Sequence, residues 1–165
     1  MLVQFCLLGF VGLVVLAAGW DAFRFTIPNW LSASVALLFP VAAGLAGFGL
    51  GEWGNHLMAG LIALLLGMAL FAPGWIGGGD AKLFAASALW FGWPGLSGFL
   101  MFTALAGGVL VVVLIAVRKM TPIMGVPASW VENTPFAENA PVPYGIALAG
   151  GALWSLPSSI WMTVM

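Results

Sequence analysis

Two carboxylates stand where chemistry is expected in a chain that carries little other charge. Asp80 follows Gly77-Gly78-Gly79 and precedes Ala81-Lys82, so an acid and an ammonium share one helical turn. Asp21 closes the first apolar run of the chain. An ionisable group at membrane depth costs roughly 2.5–3.5 kcal/mol on insertion scales, and such groups usually mark a functional site. Two carboxylates converging from separate helices cannot readily both ionise, so they share a proton. The ionised partner can then draw a proton from water while the protonated one hydrogen-bonds a scissile carbonyl. That is aspartyl-protease chemistry.

Each residue also has a plainer reading. Aspartate is a favoured helix N-cap, and an apolar helix follows Asp80 directly. The three glycines argue for more, because broken backbone near a membrane is tolerated only where protein or a cavity surrounds it. Glycines also admit a close backbone, as a peptide beside Asp80 requires. Asp21 lies at a helix C-terminus, where the macrodipole disfavours an anion. An Asp21–Arg24 surface pair is its plainer reading. Lys82 either helps keep the acid pair partly ionised or snorkels to mark the membrane boundary.

Other hydrolytic chemistry lacks its parts. His56 is the only histidine, and no His-Glu-x-x-His pattern is present. Neither a zinc site nor a Ser–His relay is therefore expected, and no metal or cofactor is called for. His56 and the neighbouring Glu52 read as interfacial polar residues. Cys6, the single cysteine, reads as an apolar packing residue.

The elements that must position the aspartates are helices in a bilayer. The chain has 165 residues, 63% hydrophobic and 5% charged, with a mean hydropathy of +1.15. A soluble domain carries about 25% charged residues, so this chain is an integral membrane protein. Net charge is −1 with no basic run, which gives nucleic acid no purchase. The apolar N-terminal run has no Lys or Arg before it, so it reads as a retained helix rather than an export signal.

Spans of about 20 apolar residues are expected at 2–20, 31–50, 57–75, 76–93, 99–117 and 144–164, a single all-α domain of six helices. Pro94 ends the fourth, and Pro40 and Pro157 should kink two others. Arg24, Lys82, Arg118 and Lys119 all fall on one side, which the positive-inside rule makes cytoplasmic. Both termini then face away from the cytoplasm, and Asp21 and Asp80 meet at the cytoplasmic end. Tryptophans 20, 30, 75 and 130 at that end, with 53, 90, 93 and 161 at the other, read as interfacial belts. The 118–143 stretch, rich in proline, reads as an irregular cytoplasmic loop. Ala104, Gly108, Ala147 and Gly151 are spaced for close helix contact.

At this point the chain resembles a known family. Asp21 followed by Ile27-Pro28-Asn29, the Gly77-Gly78-Gly79-Asp80-Ala81-Lys82 element and Pro143-Tyr144-Gly145 resemble, in that order, the three elements of the type IV prepilin peptidases. These are GxGD-type intramembrane aspartyl proteases, and the likeness spans essentially the whole chain. The resemblance implies that Asp21 and Asp80 are the catalytic pair. It makes Gly77, Gly78, Gly79, Lys82, Pro143, Tyr144 and Gly145 substrate-binding residues. It further implies a bacterial inner-membrane enzyme that cuts the short basic leader from a prepilin or pseudopilin at the cytoplasmic face. Long members carry a cysteine tetrad and methylate the new N-terminus; with Cys6 alone, this chain resembles the short Flp (tight-adherence) form without methylation. A homo-oligomer stays open.

The competing class is a small transporter or proton channel using the aspartates as an ion relay. Relays place acids near the bilayer midplane, whereas both acids here fall at one end. A pure assembly factor would leave the acids and the triple glycine without a reason.

Overall fold

A computed structural model describes residues 1–138 and 140–164. Among these the chain is helical throughout: α1 (Leu2–Arg24), α2 (Asn29–Ala46), α3 (Leu50–Phe71), α4 (Gly78–Ile123), the short α5 (Ala128–Val131) and α6 (Tyr144–Ser155). Three of them, α1, α3 and α4, are long and apolar enough to cross a membrane. Large apolar side chains such as Phe5, Leu37, Leu65 and Val109 lie exposed on the outer surface, as a bundle solvated by lipid tails allows. α4 is the centre of the fold, with α2, α3 and α6 packed on it and α1 joining α2 and α6.

The path of α1 decides where the first acid sits. The helix overruns the expected end at Trp20 and continues to Arg24, so Asp21 occupies its last turn. Phe10, Val14, Ala17 and Asp21 recur at helical spacing and all are buried, so the carboxylate continues the face turned into the bundle. Phe25 then stops the helix in a left-handed conformation (φ 54°), an uncommon state for an aromatic residue. Pro28 precedes α2 in extended conformation.

α4 is two limbs joined at a break. Gly92 has φ 62° and ψ −179°, a combination essentially restricted to glycine. The chain therefore bends two residues before Pro94, and Pro94 falls in the first turn of the second limb, where its missing N–H is no loss. The second limb outlasts the expected end at residue 117 and carries Arg118 and Lys119 within the helix. Arg118 then donates to the carbonyl oxygens of Pro135 (3.0 and 2.8 Å) and Ala140 (2.8 Å), tying the 118–143 loop to α4.

α6 is shorter than its expected span. It ends at Ser155, and the chain continues as two 3₁₀ turns, Leu156–Ser158 and Ile160–Met162. Pro157 is the reason, since it can neither donate to the preceding turn nor avoid its carbonyl. These turns bring Trp161 inward rather than to an interface. Trp161 and Trp90 are both fully buried, so neither belongs to an aromatic belt.

His56 also departs from expectation. It is buried in α3, stacked on Phe39 at 5.2 Å between ring centroids, and its Nδ1 donates to Leu89 O at 2.6 Å. In an unbroken helix Leu89 O would take the N–H of residue 93, and Trp90 O that of residue 94, which is proline. Trp161 Nε1 serves Trp90 O instead, at 2.5 Å. The break in α4 is thus sealed by two side chains from outside the helix. Glu52 accepts from the Gly49 N–H at the start of α3 and is a helix-capping group.

Small residues make the close crossings, though not all those expected. Gly151 faces the Thr103 backbone and Gly107 faces Ala147, while Gly108 has no neighbour within 4 Å of where a Cβ would lie.

Candidate active site

Three segments converge at the end of the bundle opposite His56: the last turn of α1, the first turn of α4 and the start of α6. Asp21 Oδ2 accepts the backbone N–H of Gly145 at 2.8 Å, in a buried contact across 124 positions of sequence. Its hydrogen bond therefore goes to α6 rather than to Arg24, which is exposed. Gly145 has to be small here, since a Cβ would lie 2.9 Å from Asp21 Cβ. Pro143, fully buried, caps α6 and aims that N–H.

Asp80 stands three positions inside α4 rather than at its N-cap, which is Gly77. Its Oδ2 accepts the Gly77 N–H at 3.1 Å, so the carboxylate closes back on an otherwise free donor of the first turn. Its Oδ1 is buried with no hydrogen-bond partner among the described residues. A buried oxygen without a partner costs about 1–3 kcal/mol; groups left so in a folded protein call for a reason. Asp21 holds Gly145 at the start of α6, and Tyr144 beside it lines the same cavity as Asp80, so the two carboxylates stand at the same end of the bundle.

The glycines divide the work. Gly79 lies against the Ile27 backbone, where a Cβ would meet Ile27 O at 2.9 Å, so the chain leaving α1 runs directly over the start of α4. Gly77 gives the N–H that holds Asp80, and Gly78 packs against the Phe71 ring. Ile27 thus enters the site through its backbone, for which a side-chain reading gives no signal.

Beside Asp80 lies a cavity of about 610 Å³ between the two limbs of α4 and α6. Ile76, Phe84, Leu100, Val111 and Leu148 make its wall apolar, with Ala104, Gly107, Gly108 and Ala147 leaving room. Asp80, Tyr144 and Thr103 bring its polar atoms, and Thr103 Oγ1, like Asp80 Oδ1, is buried without a partner among the described residues. Ala104 and Gly108 therefore line space rather than a tight crossing.

Lys82 does not join the aspartates. Its Nζ donates to Asn29 Oδ1 at 2.8 Å, and both residues line a different groove. The loop acids Glu132 and Glu138 share a cleft with Arg118 and Lys119, away from Asp80. Among the described residues no group of three or more His, Cys, Asp or Glu could hold a metal ion.

Comparison with known proteins gives one match. The model of the type IV leader peptidase family covers residues 8–112, well over half of the chain. The match includes Asp21, Ile27-Pro28-Asn29 and the glycine-aspartate element, and stops short of Pro143-Tyr144-Gly145. No curated protein and no solved structure matches the chain.

Proposed function

Because this chain belongs to the type IV leader peptidase family, we propose that Asp21 and Asp80 form the catalytic pair of an intramembrane aspartyl endopeptidase. Its substrate is a prepilin or pseudopilin, whose short basic leader it removes at the cytoplasmic membrane face of a bacterial inner membrane. One observation carries this reading: two carboxylates from separate helices stand at one end of the bundle, one of them with a buried oxygen that has no partner among the described residues, beside a large apolar cavity.

The pair works by sharing one proton. The ionised carboxylate takes a proton from a water molecule, and the water oxygen attacks the scissile carbonyl carbon. The protonated carboxyl hydrogen-bonds the carbonyl oxygen and stabilises the charge that develops there. The proton then passes to the departing amide nitrogen as the C–N bond breaks. Gly145 N–H and Gly77 N–H fix the two acids from the backbone, so their positions depend on few rotatable bonds. Tyr144 lies beside the extended peptide, while the glycines act from behind, Gly79 and Gly78 letting Ile27 and Phe71 pack against the turn that carries Asp80.

The same reading has six membrane-crossing segments, counting the two limbs of α4 separately, with both termini outside the cytoplasm. Cysteine labelling is then expected to reach position 129 from the cytoplasm and position 55 from the other side. Cys6 is the single cysteine of this sequence, which supports the short, Flp-type reading in which the new N-terminus is not methylated. The deciding experiment incubates purified protein with candidate prepilins and reads the new N-terminus by mass spectrometry. Cleavage before the pilin's apolar helix, unmethylated, is the expected product. No cleavage of any candidate by a folded, membrane-inserted protein would remove the reading.

A further inference from the structure

α2 and α3 each pack on α4 more than on one another, which leaves a groove of about 470 Å³ floored by the first limb of α4. It is distinct from the aspartate cavity, with which it shares no lining residue. Ala36, Leu61, Leu64 and Leu89 line its apolar length. Its polar end holds Lys82, Asn29 and Ser32, and no acid lines it.

The polar end has unspent hydrogen-bonding capacity. The Lys82 ammonium has three donors, of which Asn29 Oδ1 accepts one. Accepting that bond leaves the Asn29 amide N–H groups as donors. Ser32 is only 5% exposed, and its Oγ has no partner among the described residues. A cation and amide donors above a buried hydroxyl, over an apolar trough open between two helices, match a phosphate, a glycerol ester and an acyl chain in sequence.

We propose that this groove is a binding site for one anionic phospholipid. Lys82 and Asn29 hold the phosphate, Ser32 donates to an ester carbonyl, and an acyl chain lies along Ala36, Leu64 and Leu89. The position gives the lipid a structural consequence. Asn29 opens α2 just after Ile27, and Lys82 lies in the first turns of α4 just after Gly79, the residue that Ile27 overlies. A phosphate bridging Asn29 and Lys82 therefore fastens the chain leaving α1 to the start of α4. The site stands whether or not the aspartates are a catalytic pair.

Native mass spectrometry of the full chain released from nanodiscs of equal phosphatidylglycerol and phosphatidylcholine tests this. One phosphatidylglycerol is expected to stay bound in preference to phosphatidylcholine. Lys82→Gln should lower that retention by about fivefold, the effect of one cation at a lipid surface, while Lys82→Arg keeps it. Ala33→Trp, an exposed position on the groove wall, should also displace the lipid, and Arg24→Gln, outside the groove, should not. Equal retention of both lipids, or retention unchanged in Lys82→Gln, overturns the proposal. So does a dimer that Ala33→Trp dissociates, since the groove would then hold a second copy.

Discussion

The two ends of the bundle differ in what happens to their strongest buried hydrogen-bonding groups. Around His56 the carbonyls freed by the break in α4 meet partners, although Ser155 Oγ at the end of α6 is buried without one among the described residues. His56 serves Leu89 O, Trp161 serves Trp90 O, and Trp90 Nε1 donates to Val35 O at 3.0 Å. Phe10 stacks on Trp90 at 4.5 Å and Phe48 on Trp161 at 5.0 Å, which packs aromatic rings around the break. At the aspartate end Asp80 Oδ1 and Thr103 Oγ1 have no partner among the described residues, and both residues line a cavity of about 610 Å³. Satisfied polar groups rigidify a fold, whereas unsatisfied ones hold capacity for something that arrives. The contrast sets a histidine held by a backbone partner apart from an acid with an oxygen left unpartnered among the described residues.

The sharpest way to break this contrast is at the acids. Asp21→Asn and Asp80→Asn should each lower prepilin cleavage by at least about 10³-fold, as loss of a group acting only in the transition state does. Both variants should insert in the membrane as the parent does. Processing by either at the parental rate, read by mass spectrometry, would return both ends to the same class.

Next in size is the glycine that holds Asp21. Gly145→Ala places a Cβ 2.9 Å from Asp21 Cβ, so the carboxylate has to move. A displacement of that order should lower kcat by about 10²-fold with KM little changed. A parental kcat would show that the Gly145 N–H does not set the position of the acid.

The far end should answer with stability instead. His56→Ala uncaps Leu89 O and empties space between Phe39 and Phe48, with an expected loss of about 2–4 kcal/mol. Cleavage per folded molecule should stay within about twofold, because distant sites act independently. Denaturation in detergent and kinetics corrected for the folded fraction give the two numbers. A large fall in specific activity with unchanged stability would reverse the assignment of the two ends.

The smallest effects are expected from the loop and from chelators. Glu132 and Glu138 share a cleft with Arg118 and Lys119, so the cleft has no net formal charge to draw a basic leader. Changing both to glutamine should alter KM for a basic leader by less than about twofold even at low salt. A larger rise that disappears on adding salt would bring the loop into substrate capture. Incubation with a strong chelator should leave the rate unchanged, and loss restored by a divalent metal would contradict the aspartyl pair.

Composition and hydropathy were enough to determine the solvent and the class of fold, because 5% charge cannot coat a domain in water while apolar runs of helical length suit a bilayer. They also singled out Asp21 and Asp80, since an acid in an apolar chain is costly wherever the helix ends. Local pattern misplaced what depends on partners far away in sequence. Pro94 is visible as a breaker, yet the bend falls at Gly92, where His56 and Trp161 arrive from other elements to take the exposed carbonyls. Trp90 reads as an anchor until Val35 and Trp161 surround it. Lys82 sits two residues from Asp80 in sequence but turns to Asn29, because successive positions on a helix point to different faces. Only the tertiary structure could put the Gly145 N–H on Asp21 and the Ile27 backbone on Gly79. Those contacts come from backbone atoms, which every sequence contains, and only packing decides where they meet.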